Sequence, residues 1–268
     1  MSVARPSGEA HAQLRFGGAF RDSAFSGADR RRLEDAVRDA RLASTASAST
    51  SLLAPAAAGG KAMPLTDENC VFDHCAVLLF PRTLAAGLRE LENRGLAPLP
   101  TVASTVVRRR LSERYGLDPT ECDVHIARLR LDLPDGRRHA AVEAFLFPRD
   151  SRAFDRRIEE SEVAYGFEQH TAFVVPRPDP PLLAGLVTAW RTEAGLLWEG
   201  GGHNPSEGGP QGSTVMYFVR DHGHPARCRR FELHCAGDLR TFTDRLPVET
   251  EAVRRAYTAW PTEPRRTG

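Results

Sequence analysis

The chain has 268 residues, 41% of them hydrophobic, enough for a sizeable buried core in one large or two small domains. Lys+Arg total 36 against Asp+Glu 35, a net charge of +1, so no broad field favours nucleic acid or an anionic membrane, and the expected partner is a small molecule. No apolar run approaches the ~20 residues that cross a bilayer, Lys61 is the sole lysine, and neither a GxxxxGK(S/T) nor a GxGxxG loop occurs, which argues against a membrane span, a Schiff-base lysine in the body of the fold and nucleotide phosphates.

The five cysteines (Cys70, Cys75, Cys122, Cys228 and Cys235) lack CxxC spacing and form an odd set. That fits a reducing compartment and buried apolar roles better than a disulfide framework. With no apolar segment following basic residues at the N-terminus, a cytoplasmic location is the expectation.

Residues 1–65 read as an arm and linker outside the core. Ser26 caps a short helix over Ala28 to Leu42 with a thin apolar stripe of Leu33, Val37 and Ala40. The following ASTASASTSLLAPAAAGG has the composition of a linker.

Residues 66–150 read as a first module. CVFDHCAVLLF predicts a strand with Phe72, His74, Ala76, Leu78 and Phe80 on one face. TLAAGLRELENRGL predicts a helix that starts at Thr83 and stops at Gly95. Three strand-like segments follow: TVASTVVRRRL, DVHIARLRLDL and, after the turn Pro134-Asp135-Gly136, RHAAVEAFLFP.

A charged, helical link over 149–163 leads to a repeat of that order within residues 151–245. HTAFVVP is a strand, Pro181 to Ala194 a helix, and LLWEGG, STVMYFV and RRFELHC are strands. Residues 246–268 form a C-terminal tail. Aligning the halves sets His74 against His170 on the first strands and Glu143 against Glu232 on the last. Imidazole and carboxylate at equivalent strand positions are metal-ligand residue types.

This arrangement resembles the vicinal oxygen chelate superfamily, on the matches FDHCAVLL and QHTAFVV for first strands and AAVEAFLF and RRFELHC for last strands. The resemblance covers about residues 69 to 240. It implies an α+β fold in which two βαβββ modules form one cupped mixed sheet around a divalent metal. His74, His170, Glu232 and Glu143 are the ligands it implies, and two modules in one chain suffice for a monomeric site, with a homodimer as the alternative. Two His and one carboxylate favour Fe(II), with Mn(II), Ni(II) or Zn(II) as alternatives.

The run GGGHNPSEGGPQGSTVMYFVRDHGHPARCRRFE is similar in order to extradiol ring-cleaving dioxygenases. That likeness implies O2 and a catechol-like or otherwise oxygen-chelating aromatic as substrates. His203 would then move the proton and Tyr217 would hydrogen-bond a substrate oxygen. The chain departs from the pattern in a longer Tyr217–Glu232 connection crowded by His222, His224 and His234. Four ligands, with Glu143 included, would point instead to a glyoxalase-type isomerase or lyase. A metal-free binding or resistance protein is a third reading. Arg108, Arg109 and Arg110 read as a solvated charge run or as partners for a substrate carboxylate.

Overall fold

The computed structural model describes residues 23–48, 60–133, 136, 138–205, 210–220, 230–247 and 249–258. Pro134 and Asp135 of the expected turn, His222, His224 and Cys228 lie outside them. The elements in chain order are α1 (Gly27–Ala43), α2 (Ala62–Asn69), β1 (Val71–Leu79), α3 (Leu84–Asn93), β2 (Val102–Ala103), α4 (Thr105–Tyr115), β3 (His125–Asp132) and β4 (Arg138–Leu146). They continue with α5 (Arg156–Tyr165), β5 (His170–Val175), α6 (Pro180–Glu193), β6 (Leu196–Asn204), β7 (Ser213–Arg220), β8 (Arg230–Ala236), α7 (Arg240–Thr243) and α8 (Thr250–Thr258).

All eight strands form one mixed sheet in the order β2-β3-β4-β1-β5-β8-β7-β6. Each module makes one half: β1 runs parallel to β4 and β5 parallel to β8, while β1 and β5 meet antiparallel at the centre. The two opening strands are therefore neighbours, and residues the sequence separates by about a hundred positions face each other there. This is the α+β architecture of paired modules that the repeat predicts.

Strand alternation gives the sheet two chemically different faces. On one, Cys75, Val77, Leu79, Leu129 and Val142 pack under α1 and α3, while Phe173, Val175, Met216, Phe218, Phe231 and Leu233 pack under α2 and α6. The indole of Trp190 on α6 donates to Thr66 Oγ1 of α2 at 2.8 Å, which satisfies a polar group in a fully buried site. The opposite face carries the ionisable residues. Its first-module end is filled by Phe145, Phe147, Leu78 and Phe80 against α4 and α5, its far end by Val219 against α8.

Two expectations are corrected. The segment TVASTVVRRRL is not a strand: only Val102 and Ala103 pair with β3, and Thr105–Tyr115 is helix α4. Ser104 caps it by accepting from Val107 N, and Gly116 ends it in the left-handed conformation (φ 68°). The Arg-rich stretch propagates as helix once those ends are fixed. The residues read as an arm also enter the core, because Leu33, Ala36, Val37 and Ala40 of α1 pack on β1 and β4. A capping box between Ser26 and Asp29 starts that helix, and the buried Asp29 carboxylate accepts from Arg32 (2.6 Å) and Arg149 (3.3 Å).

Candidate metal centre

The strand register explains why the candidate residues meet. Ala76 pairs with His170, His74 with Ala172, Ala172 with Glu232, Ala76 with Glu143, and Glu232 with Tyr217. Directly opposed residues share a face, so His74, His170, Glu143, Glu232 and Tyr217 all project from the ionisable face of the sheet.

His74, His170 and Glu232 each offer a ligand atom, all within 4.8 Å of one another, and all three are buried. His170 Nε2 is 3.2 Å from Glu232 Oε2, and the two imidazole rings meet edge to face with centroids 5.6 Å apart. The other ring nitrogen of each histidine is held from behind. His74 Nδ1 donates to Asp73 Oδ2 at 2.9 Å, and His170 Nδ1 donates to the Glu168 carbonyl at 2.8 Å. With Nδ1 the donor, each Nε2 is turned toward a carboxylate, that of His170 toward Glu232 and that of His74 toward Glu143 at 3.7 Å, and both are buried without a well-formed hydrogen bond. Buried polar atoms normally find partners, and imidazoles anchored through the far nitrogen to a carboxylate and a carbonyl are the arrangement that presents Nε2 to a metal. The residues fit a divalent ion.

Asp73 reaches its neighbour through an irregularity. The β1–β5 register shifts between Phe72 and His74, and a bulge of this kind re-aims a side chain that strict alternation would send to the opposite face. Glu168 is fixed by its own network: its N–H donates to the Glu162 carboxylate at 3.1 Å, and its fully buried carboxylate meets Arg110 at 3.0 Å and Arg114 at 3.3 Å. Gly166, in the left-handed conformation at the end of α5, turns the chain into this connection.

Electrostatics separate the two histidines. Burial disfavours a charged His74, but Glu143, the Asp73 hydrogen bond and Glu232 outweigh it and push its pKa up to about 9. Burial lowers that of His170, with Arg230 and His74 adding to it against the pull of Glu232. Burial would raise Glu232, yet His170, His74 and the Tyr217 hydroxyl hold it well below the usual carboxylate range.

Glu143 stands beside the centre rather than within the cluster. Its Oε2 is 3.7 Å from His74 Nε2, and its Oε1 accepts from Arg128 Nε at 3.0 Å. Tyr217 is paired with Glu232 across β7 and β8, its hydroxyl near enough to help hold that carboxylate's pKa down, and its ring lies 5.8 Å from that of His170. Two guanidinium groups stack on the Tyr217 ring, Arg230 at 4.1 Å and Arg110 at 4.7 Å. Arg230 is buried, donates to Glu199 Oε2 at 2.7 Å and places Nη1 3.4 Å from His170 Nδ1. The shorter contact of that nitrogen, to the Glu168 carbonyl, sets its proton. Tyr257 of α8 donates to Glu199 Oε1 at 2.9 Å, so the C-terminal segment supports the site through Glu199 and Arg230.

His203 is not brought to the centre. It pairs with Thr214, whose side chain is on the face opposite Tyr217 and Val215, and its ring lies against Gly212, where an added Cβ would come within 2.5 Å of Cε1. The residue borders the end of a cavity that reaches Tyr217, but strand parity turns its side chain away. The expectation overlooked a register shift between Trp198 and Gly200 that sets which β6 positions share the Tyr217 face. The sequence reading also missed Asp73, Glu168 and Arg230. Asp73 and Glu168 are signalled only by their nearness to His74 and His170, whereas Arg230 precedes Glu232 by two residues and so shares its face.

No protein-family model matches the chain, and no curated protein matches it. Among solved structures, it is similar to a variant of methylmalonyl-CoA epimerase from Streptomyces coelicolor in complex with 2-nitronate-propionyl-CoA, at 16% identity over 62% of this chain and 96% of that one, with a TM-score of 0.30. It is similar also to a variant of 4-hydroxymandelate synthase from Streptomyces coelicolor, at 18% identity over 75% of this chain and 57% of that one, with a TM-score of 0.32. Among the described residues, no helix is long and apolar enough to cross a membrane.

Proposed function

We propose that the chain is a metal-dependent enzyme, with His74, His170 and Glu232 holding one divalent ion and an oxygen-chelating small molecule completing its coordination. The observation that carries this reading is the pair of buried Nε2 atoms beside buried carboxylates, neither in a well-formed hydrogen bond and each imidazole anchored through Nδ1. Two imidazoles and one carboxylate suit Fe(II) with open positions on one side, and Mn(II), Ni(II) or Zn(II) are the alternatives. Iron bound there would supply electron exchange between a chelated catechol-like substrate and O2, the extradiol type of dioxygenase reaction.

The chain's own residues bind, orient and exclude water. Burial and the Glu232 charge both oppose the Tyr217 phenolate, so the hydroxyl keeps its proton at neutral pH and is a donor fixed beside Glu232. Arg230 and Arg110 restrain the Tyr217 ring. Phe145, 4% exposed with its ring 6.4 Å from that of His170, closes the neighbouring wall with an apolar surface.

The position of Glu143 favours a second reading, a glyoxalase-type isomerase in which this carboxylate moves a proton. Reconstitution with Fe(II) under anaerobic conditions, followed by O2-uptake measurements on a panel of catechols, separates the two. Oxygen consumption that survives Glu143→Gln supports the dioxygenase. Turnover of a chelating substrate with Ni(II) or Co(II) in the absence of O2, lost in Glu143→Gln, supports the isomerase.

A further inference from the structure

Beside the metal centre lies a cavity of about 590 Å³ whose walls come from both modules. Helix α4 supplies Thr105, Arg109 and Arg110, while β6 and β7 supply Gly200, Gly202 and Tyr217. Because the expected second strand of the first module is cut to two residues and continued as α4, this wall is a helix bearing arginines.

The lining is rich in guanidinium groups, those of Arg109, Arg110 and Arg230. Arg110 spends Nη2 on Glu168, but its Nε and Nη1 are buried without a hydrogen-bond partner. Arg109 is exposed at the rim and forms no ion pair with any described residue. The acidic groups nearby are already engaged: Glu168 also receives Arg114, and Glu199 receives Arg230 and Tyr257. Both two-point faces of a guanidinium include Nη2, which Glu168 holds, so Arg110 offers a carboxylate single charge-assisted hydrogen bonds and Arg109 at the rim adds a second cation.

The opposite wall carries no side chain at the positions that face inward. A Cβ built on Gly202 meets nothing within 4 Å, and the same holds at Gly200, whose φ of 137° suits glycine alone. Gly202 is paired with Val215 and Gly200 with Tyr217, on the face that carries Glu232. The cavity adjoins the centre through Tyr217, which lines the one and is the cross-strand neighbour of Glu232 in the other.

We propose that the substrate of this site carries a carboxylate in addition to its chelating oxygens, and that Arg110, with Arg109 at the rim, binds that carboxylate in the cavity between α4 and the Gly200–Gly202 stretch of β6. This deepens the metal-enzyme reading and rests on it for the chelating half of the substrate only.

The test compares acid and amide pairs by calorimetry, which reads affinity without turnover. With the redox-inert Zn(II) form, 3,4-dihydroxybenzoate is expected to bind at least about tenfold more tightly than 3,4-dihydroxybenzamide, the difference expected of a charge-assisted pair. Arg110→Gln should abolish the preference, and Arg109→Gln, which leaves the Glu168 pair intact, should reduce it and its salt dependence. Gly202→Leu, whose Cβ enters open space, narrows the cavity and should weaken both ligands together. Benzoate against benzamide on the metal-free chain isolates the arginines from the ion: a preference lost in Arg110→Gln sustains the carboxylate site even if no metal binds. Equal affinity of acid and amide in both forms, or a preference untouched in Arg110→Gln and Arg109→Gln, overturns the proposal.

Discussion

The rings of His74 and His170 meet edge to face with centroids 5.6 Å apart, although 96 positions separate them in sequence and each opens a different half of the sheet. The antiparallel junction of β1 and β5 brings them together, and Asp73 and the Glu168 carbonyl turn each Nε2 toward a carboxylate. The orientation of both imidazoles thus depends on Asp73 and the Glu168 carbonyl, and removal of the Asp73 partner is measurable.

Asp73→Ala frees the His74 ring to rotate and lowers its basicity. The expected result is a ~10–100-fold loss of metal affinity with the fold retained, read by competition against a chromophoric chelator alongside circular dichroism. Unchanged affinity would mean that the hydrogen bond does not orient the imidazole.

Protonated His74 is favoured in the metal-free fold, with a pKa pushed up to about 9 against an ordinary value of 6.5. The stabilisation it gives is fully present below the ordinary value and is lost as pH rises through about 9. The thermal midpoint of the metal-free chain should therefore fall across that window. At pH 7.5 metal binding should release a proton from His74, because an imidazole ligand must be neutral. Calorimetry in buffers of different ionisation enthalpy checks the release, which should vanish as the pH passes the raised value.

Leu33 of α1 is 2% exposed. Leu33→Ala is expected to destabilise the chain by about 2–5 kcal/mol in denaturant unfolding, the range for a truncated core leucine. A change near zero would show that α1 does not belong to the cooperative core.

His203→Ala should leave metal affinity unchanged, and turnover of the reconstituted enzyme with it, because the ring is on the face opposite Tyr217. Loss of turnover with metal content intact would return this residue to the chemistry.

The sheet and the meeting of His74, His170 and Glu232 on it were legible because they rest on period-two alternation and on duplication. His74 and His170 each follow the start of an apolar alternating strand, and Glu143 and Glu232 each sit inside a final one, so internal alignment alone pairs them. What escaped was local geometry. Helix α4 hid behind β-branched Val102, Val106 and Val107, which read as strand until the Ser104 cap and the Gly116 stop are weighed. Bulges at Phe72–His74 and Trp198–Gly200 changed which side chains reach the site, adding Asp73 and turning His203 away. No alternation pattern encodes a bulge. The thin stripe of α1 looked too weak for a core helix, yet Ala36 and Ala40 allow the close approach that buries Leu33 and Val37.

Elemental analysis after anaerobic loading with Fe(II) and removal of loosely held ion tests the central claim most directly. The account predicts one ion per wild-type chain and almost none in His74→Ala, His170→Ala or Glu232→Ala, each still folded by circular dichroism. A wild-type chain that retains no metal, or single variants that retain it fully, would contradict it.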